Sequence, residues 1–93
     1  MRHHFLVGFI SGEARFVGPL VALRKDGLIM ECQELLVPGT IGRLGIPVGA
    51  DLFRAVAMVR CRIAHLGLHF RFIRMSSYDR MLLRRLIQKT RDQ

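Results

Sequence analysis

Apolar and polar residues alternate along most of the chain, and the period changes from two to 3.6 only near residue 76. Residues 5–10 set Phe5, Val7 and Phe9 against Leu6, Gly8 and Ile10, which predicts a strand with two apolar faces. Ser11-Gly12-Glu13 reads as a turn and residues 14–23 as the returning strand, with Gly18-Pro19 marking a bulge or a bend at an edge position. Lys25-Asp26-Gly27 supplies the next reversal, since Asp-Gly tolerates the positive φ of a tight hairpin. Residues 28–32 place Leu28, Met30 and Cys32 on one face and Glu31 on the other.

Val37-Pro38-Gly39-Thr40 is a strong turn signal, with Pro at the first corner and Gly at the second. A fourth strand, weakened by Gly42 and Gly45, is predicted over 41–46, and a loop over 47–51. Residues 53–63 set Ala55, Ala57, Val59, Cys61 and Ile63 against Arg54, Val56, Met58, Arg60 and Arg62, one face buried and one largely wet. After a turn at 64–67, Leu68, Phe70 and Phe72 face inward while His69 and Arg71 face out. Ser76 or Ser77 then caps a helix whose first turn carries Asp79. Its apolar face is Tyr78, Leu82, Leu83, Leu86 and Ile87. Arg80, Arg84 and Arg91 make a stripe on the other side, flanked by Arg85 and Lys89. The prediction is a mainly β fold: a six-stranded antiparallel barrel, closed or nearly so, with a C-terminal α-helix over one end or side.

Ninety-three residues without a linker or repeat make a single domain, 1–93, and 51% hydrophobic content is ample for its core. No apolar run approaches the roughly 18 residues that cross a bilayer. The stretch at 5–10 is shorter than a secretory signal core. Cys32 and Cys61 sit in apolar, strand-like surroundings, and two buried thiols in a reducing cytosol are expected. Together these features predict a soluble cytoplasmic protein. Net charge is +8, unevenly placed. Residues 1–46 hold five Lys/Arg against four Asp/Glu, a net +1, and residues 47–93 hold ten against three, a net +7. Such a field attracts phosphates, acidic proteins or anionic lipid, and also serves solubility.

Little in the chain suggests reaction chemistry. Cys61, His65 and His69 have a metal-like i, i+4, i+8 spacing, but strand alternation sends Cys61 inward and His69 outward, and tetrahedral zinc needs a fourth ligand or a water. No Ser-His-Asp, Cys-His or paired-carboxylate arrangement is evident, so a non-enzyme is expected and no cofactor or metal is called for. His3 and His4 read as a solvated terminus. The basic second half has three readings: a solvated helix face, a nucleic-acid groove, or a docking surface for an acidic protein. Small nucleic-acid-binding barrels stack bases on exposed aromatics, and this chain has no Trp, one Tyr and six Phe mostly at core-facing positions. Met58 and Met81, on nominally wet faces amid arginines, favour the protein partner.

The order of these elements resembles the bacterial PilZ domain over nearly the whole chain, from about Phe5 to Ile87. The resembling residues are Gly27-Leu28-Ile29-Met30 opening a strand, the Leu36-Val37-Pro38-Gly39-Thr40 turn, the basic strand ending Val59-Arg60-Cys61-Arg62, and Leu66-Gly67-Leu68-His69-Phe70. The resemblance implies a PilZ-like barrel and a cyclic di-GMP ligand, held in the family by an Arg-x-x-x-Arg arm before the first strand and an Asp/Asn-x-Ser-x-x-Gly turn. Here the arm is reduced to Arg2, and the turn reads Ala22-Leu23-Arg24-Lys25-Asp26-Gly27. Arg80-Met81-Leu82-Leu83-Arg84 repeats the arm's spacing, but within a helix it is only an i, i+4 stripe. Ala22 and Arg24 cannot accept from guanine, and each lost buried hydrogen bond weakens binding by roughly 1–3 kcal/mol. The resemblance thus implies a degenerate PilZ signalling adaptor that acts through protein contacts, as small PilZ-like proteins do in motility, pilus or envelope control. Arg2, Arg24, Lys25 and Gly27 mark the remnant ligand site, and Arg80, Met81, Arg84 and Arg91 the expected partner surface. The alternatives are a functional cyclic di-GMP receptor using a non-standard arginine set, and a basic barrel binding nucleic acid.

Overall fold

Period-two alternation folds into six strands and the 3.6-period tail into one helix. The computed structural model describes residues 5–91. The strands are β1 (Leu6–Ser11), β2 (Ala14–Arg24), β3 (Gly27–Met30), β4 (Ile41–Val48), β5 (Asp51–Ile63) and β6 (Gly67–Arg74), followed by α1 (Ser77–Arg91). Every pairing is antiparallel, in the order β1-β2-β3-β6-β5-β4. The barrel closes where β4 returns to β1 through Gly8↔Gly45, Phe9↔Leu44 and Ile10↔Arg43. Closure removes the unpaired edges that invite aggregation.

Tight hairpins follow from glycine placement. Gly12 (φ 61°) and Gly49 (φ 62°) each take the first central position of a two-residue turn, as type II′ geometry requires. The predicted 47–51 loop is therefore shorter than expected: Pro47 and Val48 extend β4, Asp51 opens β5, and only Gly49-Ala50 turns. Gly39 (φ 96°) supplies the second corner after Pro38, with Thr40 N–H donating to Val37 O at 3.1 Å. The crossing segment between β3 and β4 is tied down by the Arg62 guanidinium, which donates to Glu34 O, and by Gly39 N–H, which donates to Val59 O at 2.7 Å.

Buried residues from every strand but β2 meet the helix in one core, and Phe16, Leu20 and Leu23 of β2 pack against it partly buried. Phe9, Phe53 and Phe70 are fully buried together with Leu28, Met30, Leu44, Ile46 and Leu68. Phe9 and Phe70 ring centroids lie 4.7 Å apart, and Phe53 meets Phe72 edge-on at 5.6 Å. Leu82, Leu83 and Leu86 of α1 are buried in the same cluster, which binds the helix to the barrel. Each such side chain contributes roughly 1.5–3 kcal/mol by leaving water. Tyr78 departs from the predicted apolar face: it is about half exposed, and its hydroxyl donates to Asp51 Oδ1 at 2.5 Å.

Three irregularities shift the strand phases. Val21 is an extra residue in β2 between Leu20↔Met30 and Ala22↔Ile29, close to the predicted bulge, although a closed barrel leaves no edge there. Ile73 is similarly extra between Ala57↔Phe72 and Val56↔Arg74. Arg60 is extra between Val59↔Phe70 and Cys61↔His69. That last bulge ends the inward run of β5 at Val59, so Arg60, Cys61 and Arg62 are all exposed. Of the two expected buried thiols only Cys32 is buried, and Cys61 faces solvent.

Candidate functional site

The outer wall of the barrel carries a groove of about 840 Å³ across β1, β4 and β5. Strand register builds it in three tiers. The middle tier runs Val17–Gly8–Gly45–Arg54 across β2, β1, β4 and β5, with the two glycines as the floor and the exposed Val17 and Arg54 at the ends. One side is apolar, formed by Leu6 and by Pro47 paired to Leu52. The other side runs Ile10–Arg43–Val56–Arg74 across β1, β4, β5 and β6, alternating apolar and cationic residues. Leu6 (55%), Ile10 (45%), Val17 (71%) and Leu52 (42%) are exposed, an unusual concentration of large apolar side chains on one outer face.

The start of α1 closes one end of this groove. Ser76 Oγ accepts from Asp79 N–H at 3.0 Å and the Ser76 hydroxyl donates to Asp79 Oδ2 at 2.5 Å. Asp79 Oδ1 accepts from Arg54 N–H at 3.0 Å, fastening the helix to β5. Asp79 is the one carboxylate among the groove's lining residues, and these donors occupy it. The groove is therefore apolar with a positive rim formed by Arg43, Arg54 and Arg74.

A second concavity, of about 680 Å³, lies between the β2–β3 turn and the end of α1. Ala22, Arg24 and Lys25 line it from the turn, and Ile87 and Arg91 from the helix. Arg24 and Lys25 of the predicted ligand remnant are exposed there. The fold brings Arg91, expected on the partner surface, to the same cleft. Gly27 is buried and has no positive φ. A Cβ there would lie 2.2 Å from Phe70 O, so the glycine permits the close β3–β6 approach, not a left-handed turn. Arg2 lies outside the described residues.

Arg80 and Arg84 are exposed along α1 as expected, whereas Met81 is half-buried, as is Met58 on β5. The predicted methionine-bearing wet faces are thus partly covered. Cys61 and His69 stand opposite each other in register instead of diverging, with Cys61 outside; no group of three or more His, Cys, Asp or Glu among the described residues is placed to hold a metal ion. The groove itself escaped sequence reasoning, which placed partner binding on the helix. Its signal was present in β1, where Leu6 and Ile10 give the strand a second apolar face.

Among the described residues no helix is long and apolar enough to cross a membrane. No protein-family model matches the chain, and no curated protein matches it in sequence. The class that the architecture defines is a closed six-stranded antiparallel β-barrel with one C-terminal helix.

Proposed function

We propose that the protein is a small PilZ-like signalling adaptor of the bacterial cytoplasm, acting through protein contacts, without catalysis and with weak or absent cyclic di-GMP binding. The observation that carries this reading is the apolar, arginine-rimmed groove on the barrel wall, a surface suited to another protein. The turn that would receive guanine supports it, since Ala22 and Arg24 offer no acceptor side chain. Nucleic-acid binding fits less well, because Phe9, Phe53 and Phe70 are consumed by the core and cannot stack bases.

One observation favours a second reading. Arg24, Lys25 and Arg91 converge on the cleft beside the β2–β3 turn against one lining carboxylate, Asp26, and a concavity with that excess of cations suits a phosphate diester. The chain would then be a cyclic di-GMP receptor with its own arginine set. Calorimetric titration with cyclic di-GMP, with cyclic di-AMP and GTP as controls, separates the two. The adaptor reading expects no saturable heat at high protein concentration. Binding at about micromolar Kd or tighter, lost in Arg24→Glu and Arg91→Glu, overturns it in favour of the receptor.

A further inference from the structure

Two glycines in this chain are required neither by a left-handed backbone nor by lack of room for a side chain. Gly12, Gly39, Gly49 and Gly67 have positive φ, and a Cβ on Gly18, Gly27 or Gly42 would lie 1.9, 2.2 or 2.4 Å from a backbone oxygen. Gly8 and Gly45 satisfy neither condition. A Cβ on Gly8 would meet its nearest neighbour at 4.0 Å and one on Gly45 at 3.6 Å, both ordinary contacts. They are also direct partners across the β1–β4 seam, in the floor of the groove. Glycine weakens a strand interior and often marks a bulge, a bend in a barrel or a place where a ligand or another backbone approaches closely; no bulge falls at Gly8 or Gly45.

We infer that the groove over Gly8 and Gly45 receives an acidic amphipathic helix of a partner protein. This rests on the adaptor reading and names the partner's binding segment. Two observations select the occupant. The rim carries Arg43, Arg54 and Arg74, while the only lining carboxylate already accepts two hydrogen bonds, so the complementary segment is acidic along one edge. Leu6 and Leu52 on the opposite side require that segment to be apolar along its other edge.

Geometry then selects a helix. An added strand needs an open sheet edge, and the closed barrel has none. The tier from Val17 to Arg54 crosses four strands, a span of roughly 14 Å at the usual strand spacing, which matches about nine or ten residues of helix. A second copy of the chain is a poor occupant, because a two-fold contact would set three arginines against three. A membrane is also a poor fit: the glycine floor is recessed, whereas a wedge entering lipid must protrude.

The test uses the full chain, isotope-labelled, and a synthetic helical peptide with Leu on one face and Glu beside it. Amide shifts are expected to saturate at Gly8, Ile10, Gly45 and Val56. Replacing the peptide's Glu by Gln is expected to weaken binding about tenfold, and replacing it by Lys to abolish it. Gly45→Val fills the floor with a better strand former, so it is expected to keep or raise the melting temperature while weakening the peptide at least about tenfold. Gly8→Val and Arg54→Glu are expected to weaken the peptide likewise and serve if Gly45→Val fails to fold. Arg60→Glu, on the exposed bulge of β5 and outside the groove, is expected to change nothing. Absence of peptide binding, shifts centred on α1, unchanged affinity in Gly45→Val or Gly8→Val, or capture by phosphatidylglycerol vesicles in place of the peptide would each overturn the inference. Those failures leave the adaptor reading standing, because that reading falls only to cyclic di-GMP binding.

Discussion

The Tyr78 hydroxyl donates to Asp51 Oδ1, a bond that exists only while the phenol keeps its proton. The hydrogen bond to Asp51 raises the Tyr78 pKa above its ordinary 10.0, followed by desolvation and by repulsion from the same carboxylate. A raised folded-state pKa stabilises the fold fully below pH about 10, and that contribution is lost as pH rises through the folded value. Tyr78 is the sole tyrosine and there is no tryptophan, so tyrosinate absorbance reads this one group. Its midpoint is expected above 10.0 and, in Asp51→Asn, closer to 10.0. Denaturant midpoints from about pH 9 to about 11.5 should fall more in the native chain than in Tyr78→Phe. A native midpoint at or below 10.0 would show that the bond does not persist in solution.

At the scale of elements, the start of α1 joins two jobs in one side chain. Asp79 completes the cap with Ser76 and also holds Arg54 N–H of β5. Ser76→Ala removes the cap alone and is expected to cost about 0.5–2 kcal/mol. Asp79→Ala also unties the strand and should cost more, with the double variant less than additive in urea unfolding. Equal costs would mean that the Arg54 bond contributes nothing. The sequence offered Ser76 or Ser77 as the cap and Asp79 for the first turn, and the structure selects Ser76, bonded to Asp79. The six strands were legible because burial on one face imposes period two. Cys61 was misread because the Arg60 bulge depends on where β6 pairs, which alternation within β5 does not encode. The groove was hidden by a similar distance: Gly8 and Gly45 become neighbours only when the barrel closes.

At the scale of the molecule, the charge is spread over a body of 31 × 29 × 20 Å. Two of its carboxylates, Asp51 and Asp79, spend their hydrogen bonds on a phenol, a hydroxyl and a backbone N–H and not on guanidinium groups. A net +8 is then self-repulsive across the whole fold. At about 10 mM salt the screening length is roughly 30 Å, so the charges on opposite sides of the molecule interact. At about 150 mM it is roughly 8 Å and they largely do not. Melting temperature is therefore expected to rise by a few degrees, on the order of 2–6 °C, between those NaCl concentrations. A fall would mean that attraction between cations and carboxylates outweighs the repulsion. The same change in salt should weaken an acidic peptide held at the Arg43–Arg54–Arg74 rim, because that attraction is screened as well. Fold and groove thus answer salt with opposite signs, so a loss of peptide binding at high salt cannot be attributed to a loosened barrel.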